Sequence, residues 1–262
     1  MSLRQKLAVN FHDREALPVH RMTWFSLVLC ALSFLVCPPC RGQARVSLED
    51  CLREAEVLLD RTESYTAVFH KQERVKGWLK TKETVYLKFK NPFKVYMKWI
   101  EDPGKGREVL YIDGWNDNRI MLRDPGFLGV VIMNLSPQGA IAMKGSRHPI
   151  TDVGLAYLVK MLGDNLRRGS RSGELGCRIG KEETIFGRRT QSAELIFPKD
   201  PRNGYYCYRS IISLDIEKRV PIRVQVFDWQ DRLIEDYGYE DLTLNAGLTD
   251  FDFDPRNPKY RF

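Results

Sequence analysis

Apolar and polar residues alternate with period two through Val85-Tyr86-Leu87-Lys88-Phe89-Lys90, so Val85, Leu87 and Phe89 share one face of a predicted strand. Asn91-Pro92 turns the chain, and the next run sets Val95, Met97 and Trp99 opposite Lys94, Tyr96 and Lys98. Asp102-Pro103-Gly104 makes a second turn, and Asp113-Gly114 closes a third strand. The lysine-bearing face of these strands reads as the wet side; the other face must be buried against helices or against a ligand. Ahead of them, Ser47 can cap a helix over residues 48–61, with Leu48, Leu52, Ala55 and Leu59 on one face. Residues 65–75 read as a first strand, and residues 119–122 and 127–134 as two short ones.

The middle of the chain changes period. Pro137 suits the first position of a short helical turn reaching residue 144. Thr151 or Asp152 can then cap a longer helix through residue 166, with Leu155, Leu158, Val159 and Leu162 as its apolar stripe. Residues 167–176 read as a polar connection. Strands are expected again over residues 177–186, 190–197, 205–216, 220–229 and 232–244. Ile222, Val224 and Val226 face opposite to Arg223 and Gln225, and Tyr206 and Tyr208 share a face with Ile212 and Leu214. The fold class is α+β. Its expected centre is one large curved antiparallel sheet, which either closes or is covered on its concave face by helices.

The first 44 residues stand apart. Arg21 precedes an apolar run from Trp24 to Val36, and Gly42-Gln43-Ala44 follows as a small-x-small site. That order predicts a secretory signal cleaved after Ala44, leaving a single domain over residues 45–262 and an address in the periplasm or cell envelope. Cys37-Pro38-Pro39-Cys40 lies inside the leader and is read as accidental. Removing the leader's five basic and two acidic residues lowers the net charge from +7 to +4, too mild a surplus to argue for nucleic acid. Of the remaining cysteines, Cys177 and Cys207 are the pair placed to form a disulfide; three reduced thiols are the alternative.

Chemistry is poorly marked. Ser136, Ser146, His148 and Asp152 invite a hydrolytic reading, but no serine sits in a nucleophile elbow. His70 and His148 lie far apart, and Asp250, Asp252 and Asp254 lack the glycine and glutamate of a calcium loop. No catalytic residue, metal or cofactor is expected.

The order helix, hairpin with proline in its turn, basic-aromatic strand and Asp-Gly turn resembles the LolA-type lipoprotein-carrier fold. Lys90-Asn91-Pro92-Phe93-Lys94-Val95, Met97-Lys98-Trp99 and Tyr111-Ile112-Asp113-Gly114 carry the likeness. Arg147-His148-Pro149-Ile150-Thr151-Asp152-Val153-Gly154, Asp252-Phe253-Asp254 and Asn257-Pro258-Lys259-Tyr260 are similar to a family of bacterial exported proteins with a domain of unknown function and that same fold. The resemblance implies an unclosed half-barrel with helices over a hydrophobic concavity able to take acyl chains, and carries over no activity. On this reading Val85, Leu87, Phe89, Val95, Met97, Trp99, Ile222, Val224 and Val226 are the candidate cavity lining. The expected partner is a lipid or an acylated protein, held without covalent chemistry by a monomer with peripheral or no membrane association. A structural or regulatory envelope protein with a completely filled concave face is the alternative.

Overall fold

The computed structural model describes residues 47–126 and 129–262. The expected leader, its cleavage point after Ala44 and Cys30, Cys37 and Cys40 lie outside the described residues. Ser47 caps α1 (Leu48–Asp60) as its spacing predicts, its hydroxyl accepting the Asp50 N–H at 3.1 Å. Leu48, Leu52, Ala55 and Leu59 are the buried face of that helix.

Two meanders make up the sheet. The first runs through β1 (Ser64–Val75), β2 (Trp78–Leu79), β3 (Glu83–Lys90), β4 (Lys94–Trp99), β5 (Glu108–Ile112), β6 (Ile120–Gly126) and β7 (Gly129–Leu135). The second runs through β8 (Gly176–Ile185), β9 (Arg188–Ile196), β10 (Arg209–Asp215), β11 (Pro221–Phe227) and β12 (Leu233–Leu244). β1 and β12 pair antiparallel, Tyr65 opposite Leu244, and fuse the two wings into a 12-stranded sheet. Its outermost strands, β7 and β8, do not pair with each other, so the sheet is unclosed.

One face of that sheet carries the main core. Val85, Leu87 and Phe89, Val95 and Met97, and Ile222, Val224 and Val226 are buried there with α1 and α2 (Leu155–Ser172). α2 presents Leu155, Leu158, Val159, Leu162 and Leu166. Its start differs from the expected cap. Thr151 and Asp152 fall in a 3-10 turn, and Gly154 stands at the N-cap with φ of 124°. The Tyr65 hydroxyl accepts the Leu155 N–H there at 3.0 Å, so a side chain from the sheet satisfies the helix end. The helix also continues to Ser172 through the stretch expected to be a connection. Gly169 lies against Phe197, and Gly173 in the left-handed region ends the helix. Residues 137–144 form turns, as expected, without a helix.

The opposite face of β3, β4 and β5 is not wet. The C-terminal segment crosses it, burying Tyr96, Leu110, Phe253 and Tyr260 in a second cluster. The alternating lysines tie this segment down: Lys88 Nζ donates to Asp252 Oδ1 at 2.7 Å, Lys94 Nζ to Asp250 Oδ1 at 2.7 Å and Lys90 Nζ to the Leu248 carbonyl at 2.6 Å. Asp250 and Asp252 are therefore ion-pair partners, and Asp254 pairs with Arg256.

Cys177 and Cys207 are not bridged, and Cys51 is free as well. Cys177 lies opposite Leu195 on β9, and Leu195 lies opposite Ser210 on β10, so a whole strand separates the two cysteines. Strands two apart are about 9–10 Å distant, beyond the reach of a disulfide.

Candidate functional site

The period-two pattern of the concave face has a gradient along the strands. On β1 it passes from Tyr65, Ala67 and Phe69 to Lys71 and Glu73; on β3, from Phe89, Leu87 and Val85 to Glu83. β5 carries Tyr111 and Val109 with Arg107 just before it, β6 passes from Ile120 and Leu122 to Asp124, and β12 from Tyr239 and Tyr237 to Glu235. Registers and contacts align these changes: Lys71 opposes Glu83, Glu73 opposes Glu235, and Arg107 pairs with Asp124 at 2.8 Å. These five strands, β1, β3, β5, β6 and β12, thus turn from apolar to charged at the same end of the sheet.

At that end the concavity is not filled. A cavity of about 700 Å³ lies between the sheet, the segment from Pro137 to Gly154 and the first turns of α2. Its floor includes Phe69, Met97, Val109, Ile120, Leu122 and Tyr239, and its rim Lys71, Glu73, Glu83, Arg107, Asp124 and Glu235. The volume falls within the roughly 300–1,000 Å³ typical of ligand pockets. A completely filled face, the condition for the structural alternative, is not what this fold has. Of the nine residues expected to line a cavity, Met97 and Trp99 stand on its wall. Val85, Leu87, Phe89 and Val95 lie deeper in the core, and Ile222, Val224 and Val226 belong to the core under the second wing.

A buried polar cluster joins the covering segment to the sheet. Glu235 is fully buried, and its Oε1 receives Arg147 Nε at 2.6 Å, His148 Nε2 at 3.1 Å and the Tyr206 hydroxyl. Glu73 accepts the Arg147 N–H at 2.8 Å and the Tyr237 hydroxyl. Burial pushes the Glu235 carboxyl up, but the His148, Tyr206 and Arg147 donors outweigh it and hold the group below its ordinary range. Burial likewise pushes His148 down, and its bond and attraction to Glu235 more than reverse this. Burial and the Glu235 charge both raise the Tyr206 phenol. These groups form a charged tie between the covering segment and the sheet.

Two arrangements resemble catalytic sets. Lys71 Nζ lies 2.7 Å from Ser146 Oγ, the spacing of a serine with a lysine base. Glu73 at 3.3 Å and Glu83 at 3.9 Å, however, make this ammonium a donor in an ion-pair group, and an ammonium has no lone pair to take the serine proton. His148, the histidine of the hydrolytic reading, directs Nε2 to Glu235 and Tyr206, while Asp152 lies 3.9 Å from its Nδ1. No group of three metal-binding side chains occurs among the described residues, and no helix among them is long and apolar enough to cross a membrane.

Tyr206, Glu73 and Glu235 had no sequence signal as a group. Tyr205 to Tyr208 precede β10 instead of belonging to it, which frees the Tyr206 ring to reach the tie. The usable signal was the charge that ends each apolar alternation.

A family model described as Protein of unknown function (DUF1571) matches residues 62–262. The search of curated proteins gives no match. Among solved structures, the Mycobacterium tuberculosis lipoprotein LppX is similar at 10% identity and a TM-score of 0.46, over 79% of this chain and 97% of that one. A chain of the Pseudomonas aeruginosa MucA/MucB complex gives 16% and 0.42, over 79% and 60%. A LolA superfamily protein from Nitrosomonas europaea gives 11% and 0.32, over 79% and 96%. At these scores nothing about this chain's ligand or partner follows from them.

Proposed function

The chain belongs to the DUF1571 family of proteins of unknown function, and from its cavity we propose that it is a binding protein for an acyl chain or other lipid moiety. The observation that carries this reading is the concave face that turns from apolar to charged at one end of the sheet, around about 700 Å³ of space. An amphiphile matches that gradient: its tail lies over Phe69, Met97 and Val109, and its head reaches the rim. Each buried methylene contributes about 0.8 kcal/mol, so a long chain is held without any covalent step. Trp99 and Met97 are the members of the expected lining that touch the ligand. The reading includes export: residues 1–44 are the leader, residues 45–262 the working domain, and the periplasm or envelope the place of action.

Native mass spectrometry of the protein purified from a bacterial envelope fraction tests this. Added mass that leaves only on denaturation, and whose uptake is blocked by Ala142→Trp on the cavity wall, supports the proposal. A clean apo mass with no uptake of offered lipids or acylated peptides overturns it.

A further inference from the structure

Past Glu73 on β1 and past Asp124 on β6 the chain runs on into two hairpins, so both stand at the charged end of the sheet. β1 and β2 meet in a two-residue turn, Lys76 and Gly77 both at positive φ, with Val75 opposite Trp78. Trp78 is 77% exposed, and Leu79 beside it is exposed as well. Beyond β3, β4 and β5 in the sheet, β6 and β7 turn with Gly126 opposite Gly129. Val130, Val131 and Ile132 follow that turn, and all three are exposed. The covering segment adds Ile141, 62% exposed at the cavity wall. A tryptophan so exposed, with five aliphatic side chains at the same end, is more than the scattered apolar surface of an ordinary face.

The charge around these side chains is one-sided. From Arg74 to Lys82 the first hairpin carries four basic residues and no acidic one. Lys71, Arg107 and Arg147, further in, are matched by Glu73, Asp124 and Glu235. Among the described residues Lys76, Lys80, Lys82 and Lys144 have no such partner, and all four are exposed. Glu101 and Asp102 before β5, offset in part by Lys105, leave the surplus positive. An indole among lysines suits the headgroup layer of a membrane, where the ring straddles water and hydrocarbon and the ammonium groups meet phosphate. We infer that this end of the molecule docks on a bilayer surface containing anionic phospholipid, through Trp78 and Lys76, Lys80 and Lys82. Protein interfaces are poor in lysine, and apolar groups spread over two hairpins and a turn suit a fluid surface better than a fitted partner. Lys80, Ile141 and Lys144 also line the cavity, so docking brings its mouth to the lipids. The docking face itself lies on the outer surface and does not depend on what the cavity holds.

Flotation with vesicles tests this on the protein purified from a bacterial envelope fraction. Vesicles of phosphatidylcholine alone are compared with vesicles of phosphatidylcholine mixed with phosphatidylglycerol. Binding to the anionic vesicles is expected, weakening as salt is raised above about 0.1 M. Trp78→Ser should lower the affinity about tenfold, and Lys76→Gln, Lys80→Gln and Lys82→Gln together about a hundredfold. Phe251→Ser, which removes an exposed aromatic from the C-terminal segment, should change nothing. All these side chains are exposed, and thermal melts report that the variants fold. No flotation with the anionic vesicles, equal flotation with both kinds, or equal losses from Trp78→Ser and Phe251→Ser overturns the docking face. So does a dimer in vesicle-free solution that Trp78→Ser dissolves, since the face is then an interface between copies. Flotation by a protein whose native mass spectrum shows no lipid upholds docking and removes the binding reading. Uptake of dispersed lipid without flotation does the reverse.

Discussion

Tyr96 and Tyr260 stack face to face across the back of the sheet, their ring centres 3.9 Å apart and their planes 15° from parallel. Tyr96 is 1% exposed and Tyr260 8%, so the last residues of the chain act as core for the first wing. Tyr260→Ala removes the stack and leaves Lys88 short of one partner, at an expected cost of about 2–4 kcal/mol. Tyr260→Phe keeps the stack and loses only the hydroxyl, at about 1 kcal/mol. Urea denaturation measures both; equal costs would show that the hydroxyl, not the ring, holds the segment.

The charged tie predicts a stability maximum in mild acid. His148 is raised above its ordinary 6.5, so the stability it contributes is complete below that value and is lost as pH rises through the raised one. Glu235 is lowered from its ordinary 4.5, so its contribution is complete above that value and is lost as pH falls through the lowered one. Arg147, Tyr206, Glu73 and Asp152 also face this pair and set its field. Urea midpoints measured from acid to mildly alkaline pH should fall on both sides. His148→Gln should flatten the alkaline side and also shrink the acid side, because His148 is the foremost of the donors that hold Glu235 down.

Gly154 is predicted to resist substitution. Its φ of 124° is strained for any other residue, and an added Cβ would meet the Tyr65 hydroxyl oxygen at 3.0 Å and Phe89 at 3.2 Å. Gly154→Ala should cost about 1–3 kcal/mol in urea denaturation, because it disturbs the hydroxyl that satisfies the start of α2. A variant as stable as the wild type would remove Tyr65 from that role.

The cysteines should react in order. Cys177 is exposed, whereas Cys207 is buried and its thiol is pushed up to about 12 by burial and by the Glu235 charge. Brief alkylation of the native protein with iodoacetamide should mark Cys177 first and Cys207 only after unfolding. A bridged Cys177–Cys207 peptide in a non-reducing digest would contradict the placing of β9 between the two cysteines.

Alternation was enough to find β1, β3 and β4 and their buried faces, because period two survives wherever one side of a strand is covered. The stripe Leu155, Leu158, Val159 and Leu162 likewise found α2. The ends of that helix were hidden. Tyr65, some ninety positions upstream, satisfies its first turn, and contact with Phe197 carries it through Gly169 and Ser170, whose own propensities oppose a helix. Lys88 and Lys94 looked solvated because nothing local reveals that Asp252 and Asp250 come to meet them. The same distance hid the tie, since Glu73 meets Glu235 only through the β1–β12 register. Cavity lining could not be told from core, because Val85 and Trp99 share one apolar pattern and differ only in what covers them.

The pairing of β1 with β12 sets an order of events as the chain is made. The first wing leaves the ribosome with one side of β1 unpaired, and its partner strand follows all the other strands of the sheet in sequence. Long-range pairing of this kind is slow and leaves the open strand edge available to other chains meanwhile. Tyr237, Tyr239 and Glu235 arrive with that strand, so the cavity does not exist until β12 is made. A nascent or truncated chain therefore has an open, adhesive strand edge and no container.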